Sequence, residues 1–509
     1  MGGRAKLAGM LVAAVTALSG TAAHAEKATD TLRVVWRDAV PNIDPYYNTQ
    51  RTGLIFQQHT MDGLVYRDPD SFQIQPLLAT AWSWVNERTL DLTLRQGVTF
   101  HNGDTFSADD VVYTLNLVST PEAKVSVPSN YSWIDNAEKI DDYHVRVHLK
   151  KITPAALEFF AMITPMYPKA YREKVGPEGF SKAPVGAGPY KVTRVDGVNQ
   201  IDMVRFDGYY DGSPKGKPKI GKLVIRAVAD AATEMAELLS GHADWIWNYN
   251  PDQFDQVGRM PNLQALRAES MRINFLQIDA AGRSGAGNPL TNVKVRQAIL
   301  HAIDRQAFAK QLVQGDSRPL DAPCYPSQTG CDQTAAVKYD YDPAKAKRLL
   351  AEAGYPNGFE TELVGYLLDS WMASIQGYLG AVGIKAKVSR LQVGAVSQRN
   401  QKGDTPLTAA SWGSNSINDV AAVFPVYYDG ESLFDFARDP EAAKLVEEGG
   451  SSNDPEVRKR AYSALIKRVT EQAYWIVLAT DAKYYGLSKQ LDFHPDRDEM
   501  PRFFRSSWK

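Results

Sequence analysis

Nothing in these 509 residues marks one part of the chain off from another: no low-complexity linker and no short repeat interrupts the alternation of strand-like and helix-like segments. A chain this long exceeds what one hydrophobic core usually serves, so two or three lobes are expected. Without a linker, those lobes must be interleaved, with the chain passing between them more than once. The pattern predicts a mixed α/β fold rather than beads on a string.

The local signals agree. "TLDLTLRQGVTF" puts Leu90, Leu92 and Leu94 on one face and Asp91, Thr93 and Arg95 on the other, which is a half-buried strand. "YHVRVHLK" repeats the alternation with Val145, Val147 and Leu149. Between them, Ser107 and Asp110 in "SADDVVYTLNLV" form a capping-box start for a helix. Further on, "DPAKAKRLLAEAGYPNG" offers Asp342 as N-cap, Pro343 in the first turn, Leu349 and Leu350 facing inward, and Gly354 as stop. "DPEVRKRAYSALIKRV" opens the same way at Asp454 and spaces Val457, Ala461, Leu465 and Val469 four apart; Val295, Ile299 and Ile303 line up similarly.

The first residues carry Arg4 and Lys6, an apolar run from Leu7 to Leu18, and Ala23-His24-Ala25. This reads as a cleaved signal peptide over 1–25, with the mature chain starting near Glu26 and lying outside the cytoplasm. The apolar run falls short of the ~20 residues that span a bilayer, and no cysteine near the cut suggests a lipid anchor. Lys and Arg total 57 against 59 Asp and Glu, a net charge of −2. With no clustered basic stripe, nucleic acid is not expected as a partner.

Only Cys324 and Cys331 occur, in "PCYPSQTGCDQ". Outside the cytoplasm that spacing suits a structural disulfide closing a short loop, whereas a metal or redox pair would need CxxC spacing or nearby histidines. There is no GxSxG elbow, HExxH, Walker loop, dinucleotide GxGxxG or calcium loop. His144 and His148 are four apart, but on a strand they stand well separated on its polar face. "APVGAGPYKV" at 183–192 lacks the Lys-Ser/Thr of a phosphate loop, and its prolines remove two amide donors, so a rigid turn feeding a strand is expected. No enzyme activity, cofactor or metal is expected.

"LATAWSWVNERTLDLTLRQGVTFHNGDTFSADDVVYTL" followed by "APVGAGPYKV" resembles the signature of family 5 solute-binding proteins of ABC importers, the peptide, oligopeptide and nickel-binding class. "DGYYDGSPKGKPKIGKLVIRAV", "ELLSGHADWIW", "PLTNVKVRQAILHAIDRQAF", "YDPAKAKRLLAEAGYPNGF" and "ALIKRVTEQAYWIVL" follow in the family's order, so the resemblance spans nearly the whole mature chain. It implies a two-lobed periplasmic binding protein-like fold with a two-strand hinge and an extra subdomain in the first lobe. The implied division is lobe I from 26–67, 187–278 and 478–509, the inserted subdomain from 68–186, and lobe II from 279–477. In the family, "GVTFHNGDTFSADDV" builds the insert and touches no ligand. The implied partners are a small peptide-like solute and ABC permease subunits in the inner membrane with cytoplasmic ATPases, the binding protein itself being a monomer.

The resemblance also points to residues. "SWGSNSINDVAAVF" falls where family members line the ligand cavity with Gly-Trp, an aspartate for the peptide amino group, and Asp-Pro. Aligned on Trp412, that aspartate becomes Asn415, the Asp-Pro becomes Asp419-Val420, and an arginine common in oligopeptide binders becomes Ala410. A buried ammonium needs a counter-charge, so either Asp419 or another acid takes over, or the solute lacks a free α-amino group. "DWIWNYNPDQF" places Trp247 and Asn248 at contact positions on the first lobe, and Trp245 and Trp247 project the same way if extended; both could equally be core. Tyr47 in "DPYYNTQ", and Tyr131 with Trp133 in "PSNYSWIDN", fall at the cleft mouth, with surface packing as the competing account. An opine or oligosaccharide is the alternative solute. A nickel chelate would need a histidine or arginine in the cleft, and a secreted hydrolase a nucleophile–base pair that the sequence does not show.

Overall fold

The computed structural model describes residues 29–509 except 41 and 49, so the leader expected over 1–25 lies outside the described residues. A ten-stranded sheet runs through both lobes. From edge to edge its strands are Ile384–Arg390, Phe359–Gly365, Leu407–Trp412, Leu263–Ile278, Trp475–Ser488, Trp245–Trp247, Thr31–Trp36, Lys222–Ala227, Gln200–Arg205 and Tyr190–Asp196. The two central strands are 16 and 14 residues long and antiparallel, and their register shifts between Ser270 and Ile273. On one side of the shift, Leu263–Ser270 pair with Asp481–Ser488 and the sheet continues into the first lobe. On the other, Ile273 pairs with Thr480 and with Trp412, and the sheet continues into the second. A register break bends a ladder locally; we place the hinge there, at 270–273 and 480–481.

In the second lobe, Phe359–Gly365 and Ile384–Arg390 pair in parallel, which demands a crossover, supplied by the helix Asp369–Ala381 with Met372, Ile375 and Leu379 buried beneath it. Asp342 caps its helix through Lys345 N at 2.8 Å and Asp454 through Glu456 N at 2.9 Å, each with proline next. Leu350, Ala461, Leu465 and Val469 are buried, while Leu349 and Val457 are only half so.

Within 68–186 lies a separate four-stranded antiparallel sheet, ordered Ala79–Asn86, Thr89–Leu94, His144–Leu149, Ile134–Asp141. Leu90, Leu92, Leu94, Val145, Val147 and Leu149 fill its inner face. Ser107 accepts from Asp109 N while Asp110 accepts from Ser107 N, starting the helix Ala108–Val118 that packs on it. His144 and His148 sit on the outer face against Asp141 and Glu138 respectively. At 186–188 the chain crosses Thr60 and Met61 so closely that a Cβ on Gly186 would lie 2.1 Å from Thr60 O. The glycines there serve backbone approach, and His101 pins the crossing by meeting Gly188 O at 2.8 Å and accepting from Gly186 N.

Burial, opposed by its carbonyl contact, holds His101 down at about 4 from an ordinary 6.5. The unfolded chain protonates this histidine below about 6.5, and the folded chain does not until about 4. Its contribution to stability is therefore complete above 6.5 and is lost as pH falls toward 4. Asp44, raised by burial to about 6, and Glu234, raised by burial to about 8, act in the opposite sense over the same range, so a differential test is required. Between pH 7 and pH 4.5, the stability advantage of wild type over His101→Gln should shrink by about 2 kcal/mol in urea unfolding. A gap independent of pH would show that His101 titrates normally in the fold.

Candidate solute site

The strand Leu407–Trp412 ends at the hinge, with Trp412 opposite Ile273. Beyond Gly413, three consecutive residues take left-handed backbone: Ser414 at φ 49°, Asn415 at 50° and Ser416 at 63°. Each such non-glycine residue costs on the order of 1 kcal/mol and persists only where neighbours over-determine it. Asparagine tolerates this conformation best, and it is Asn415 that stays half-exposed, while Ser414 and Ser416 are buried. Trp412 packs edge-on against Tyr427 at 5.7 Å, and its indole Nε1 is buried with no hydrogen-bond acceptor. An unpaired buried donor is costly, and Trp412 Nε1 finds no acceptor among the described residues.

The first lobe grips this turn. Arg51 donates to Ser416 Oγ at 2.5 Å and pairs with Glu499 at 2.7 Å. Arg67 donates to Ser416 O and pairs with Asp498 at 2.6 Å and Glu158 at 3.0 Å, and Glu158 in turn accepts from Asn418 N at 3.1 Å. From the hinge itself, Arg272 bonds Glu499 through Nε at 2.9 Å and Ser411 Oγ at 3.0 Å, with Lys483 3.4 Å from Glu499. Burial pushes Glu499 up, but Arg272, Arg51 and Lys483 outweigh it and hold the carboxyl well below the usual range. Asp498 is likewise buried, yet Arg502 and Arg67 bring it down to about 2. The side chains of Arg51, Arg272 and Lys483 keep 13%, 15% and 11% exposure, against 1% for Glu499.

Of the residues expected to meet solute, the structure gathers Trp412, Asn415 and Asp419 on this one turn. Asp419 is otherwise occupied: Arg458 bonds both its oxygens at 2.8 and 2.7 Å, and Asp419 caps Ala421 N. It is an internal ion pair of the second lobe, not a free charge. Trp247 is 3% exposed and packed among Trp36, Trp245 and Tyr485, with Trp245 and Trp247 on the same side, 5.7 Å apart. It pairs with Tyr485, five residues along the strand from Thr480, roughly 17 Å from Trp412's row. Asn248 has φ 56°, gives its carbonyl to Arg37 and remains half-exposed. Tyr47 donates to Ala123 O at 2.8 Å, and the buried Tyr131 donates to Ile163 O at 3.1 Å beside Tyr46. Trp133 is buried against Phe159 and Phe160. Among the described residues, no group of three or more His, Cys, Asp or Glu is placed to hold a metal, and no helix is long and apolar enough to cross a membrane.

A lobe-to-lobe seam built on a hinge of two long strands is the geometry of a protein that closes around a solute, and the comparisons with known proteins agree. The profile of the bacterial extracellular solute-binding proteins, family 5 (middle region), matches residues 73–434. The chain belongs to that family. The glutathione-binding protein GsiB of Escherichia coli K12 is 28% identical over 469 residues, 88% of each chain. Among solved structures, the binding protein AgaA from A. tumefaciens R10, in complex with agropinic acid, is 25% identical with a TM-score of 0.82, covering 94% of this chain and 99% of its own. The periplasmic binding protein DppA from Helicobacter pylori, in complex with peptide STSA, shares the fold at a TM-score of 0.84 and 21% identity, covering 94% and 98%. The protein is thus a solute-binding component of the ABC importer type, with the two-lobed fold of its family.

In this family 5 protein, the residues that seat the turn were invisible to motif reading. Arg51, Arg67, Glu158 and Arg272 lie 139 to 365 residues from the groups they hold at the turn, and no local motif marks them. Gly413 marks where they converge: a Cβ there would lie 2.7 Å from Arg51 Nη2 and 2.9 Å from Glu499 Oε1. Its φ of −119° suits any residue, so the constraint is space alone. Gly413→Ala should cost about 1–3 kcal/mol in chemical unfolding by displacing that ion pair; a change below about 0.5 kcal/mol would show that the pair moves aside freely.

Proposed function

We propose that the protein, exported to the periplasm through its cleaved leader, captures a small peptide-like acid between its lobes. The solute is recognised by its carboxylates, and is delivered to a membrane permease driven by cytoplasmic ATPases. It makes and breaks no bond. The observation that carries this reading is the charge on the seam. The one carboxylate on the turn, Asp419, is saturated by Arg458, and the neighbouring position is the neutral Asn415. What remains partly exposed there are the side chains of Arg51, Arg272 and Lys483, with Glu499 buried behind them and Asp481 paired with Lys483 at 2.7 Å. Guanidinium forks suit carboxylates geometrically. Trp412 supplies a flat face, and Asn415 an amide that needs no counter-ion.

GsiB is named for glutathione, a tripeptide whose carboxylates outnumber its ammonium, and AgaA holds agropinic acid. The second of these favours an opine acid as the alternative occupant of the same site. Both readings share the closing mechanism: contacts to the two lobes together exist only when the lobes meet, so solute shifts the population toward closure.

Titration calorimetry of the solute-free protein with glutathione, its N-acetyl derivative, neutral dipeptides and opine acids tests the proposal. N-acetylation should change affinity less than about threefold, because no side chain on the turn pairs with an ammonium. Asn415→Asp, a substitution the left-handed backbone accepts, should strengthen binding of free-amine peptides about tenfold and weaken that of acids. Loss of binding on N-acetylation of a wild-type ligand would overturn the reading.

A further inference from the structure

The loop closed by Cys324 and Cys331, whose Cα atoms are 5.8 Å apart, lies directly behind the strained turn. Gln328, at its centre and 4% exposed, donates through Nε2 to Ser414 Oγ at 2.9 Å and to Ile417 O at 3.1 Å. Its Oε1 accepts from Tyr325 N at 2.9 Å, which fixes the amide's orientation within the loop. The next residue completes the attachment: Thr329 N donates to Asn418 O at 3.0 Å, and Val420 N donates to Thr329 O at 3.1 Å, a short parallel bridge. Gln333 meets Cys324 O at 3.1 Å and Cys331 Sγ at 3.2 Å, tying the base of the loop.

We infer that the disulfide-closed loop is a positioning element of the solute site and that Gln328 is its positioning residue. It holds Ser414–Ser416 in their left-handed shape so that Asn415 and Trp412 are presented before solute arrives. The argument rests on which lobe supplies each restraint. Arg51, Arg67 and Glu158 hold the turn from across the seam, and those bonds exist only when the lobes are together. Gln328 and Thr329 belong to the same lobe as the turn, so their bonds survive opening. An open protein must keep three residues in a disfavoured conformation with only the loop's bonds and the turn's own, from Ser416 N to Gly413 O and from Ile417 N to Ser414 O. A short loop does this only if its own conformations are few, and a covalent closure across seven residues provides that restriction. Reduction should therefore reach the solute site without passing through the core.

The inference rests on the proposal that this turn faces the solute, and the test separates the two. Hydrogen exchange of the solute-free protein would follow the amides of Ser416, Ile417 and Val420, all hydrogen-bonded in or onto the turn. Three forms are compared: wild type, Gln328→Met, which keeps length and packing but not the amide, and the pair Cys324→Ser with Cys331→Ser. Exchange across 414–420 should quicken at least about tenfold in both variants while the strands Leu263–Ile278 and Trp475–Ser488 keep their protection. Affinity for glutathione should fall by about tenfold in each, with Gln328→Asn recovering part of it. Unchanged exchange in 414–420, or an equal loss across the whole second lobe, would overturn the positioning role. Failure of wild type to bind any acid in the panel, with the exchange difference intact, would instead overturn the proposed solute and leave the turn's restraint standing.

Discussion

Glu499 is the group on which the seam depends. It is buried at the end of the chain's last pass over the hinge, and three cations converge on it: Arg51 from the first lobe's N-terminal helix, Arg272 from one hinge strand and Lys483 from the other. Without its charge the three would repel one another across a few ångströms in a medium of low dielectric. Removing one member of such a buried cluster typically costs 3–5 kcal/mol, because the rest are left uncompensated. The backbone reflects the demand: Glu499 itself has φ 55°, a disfavoured conformation that aims its carboxylate back at the hinge. A side chain that gathers both hinge strands and a lobe helix sets how the lobes lie on one another. The turn bearing Asn415 is then fixed relative to the first lobe through Arg51.

That arrangement explains why part of this protein could be read from its residues and part could not. The strands of the insert, the Asp-Pro helix starts and the capping box at Ser107 are local: each depends on side chains within a few positions, and each took the expected form. The two-lobed architecture followed from the absence of any linker together with the order of family motifs. Asp419 illustrates the limit. Its partner Arg458 lies 39 residues away on a surface-seeming helix full of Lys and Arg, and nothing in that helix's spacing distinguishes the one arginine that turns inward. Trp247 illustrates another. Two tryptophans spaced two apart do project together, but period-two alternation does not say whether that face meets a core or a cleft, and here Trp36 and Tyr485 close over it.

The seam carries two kinds of restraint with different energetic roles. Bonds from Arg67 to Ser416 O and from Glu158 to Asn418 N are gained on closing and so favour the closed form even before solute contributes. Solute binding then needs to supply only the remaining difference between open and closed. Too many such bonds would close the protein unloaded. Stability and responsiveness are thus set against each other at the same few residues.

An uncharged side chain at position 415 is more than a local detail in this setting. An acid there would add a negative charge to the turn that Arg51 and Arg67 hold through Ser416. Asparagine keeps the left-handed turn and a hydrogen-bonding amide without adding that charge. With Asp419 neutralised inside its own lobe, the seam's cations Arg51, Arg67, Arg272 and Lys483 face the carboxylates of Glu499, Asp498, Glu158 and Asp481. An anionic solute would share the partly exposed side chains of Arg51 and Arg272 with Glu499. The same charge balance that allows the lobes to meet therefore selects what they meet around.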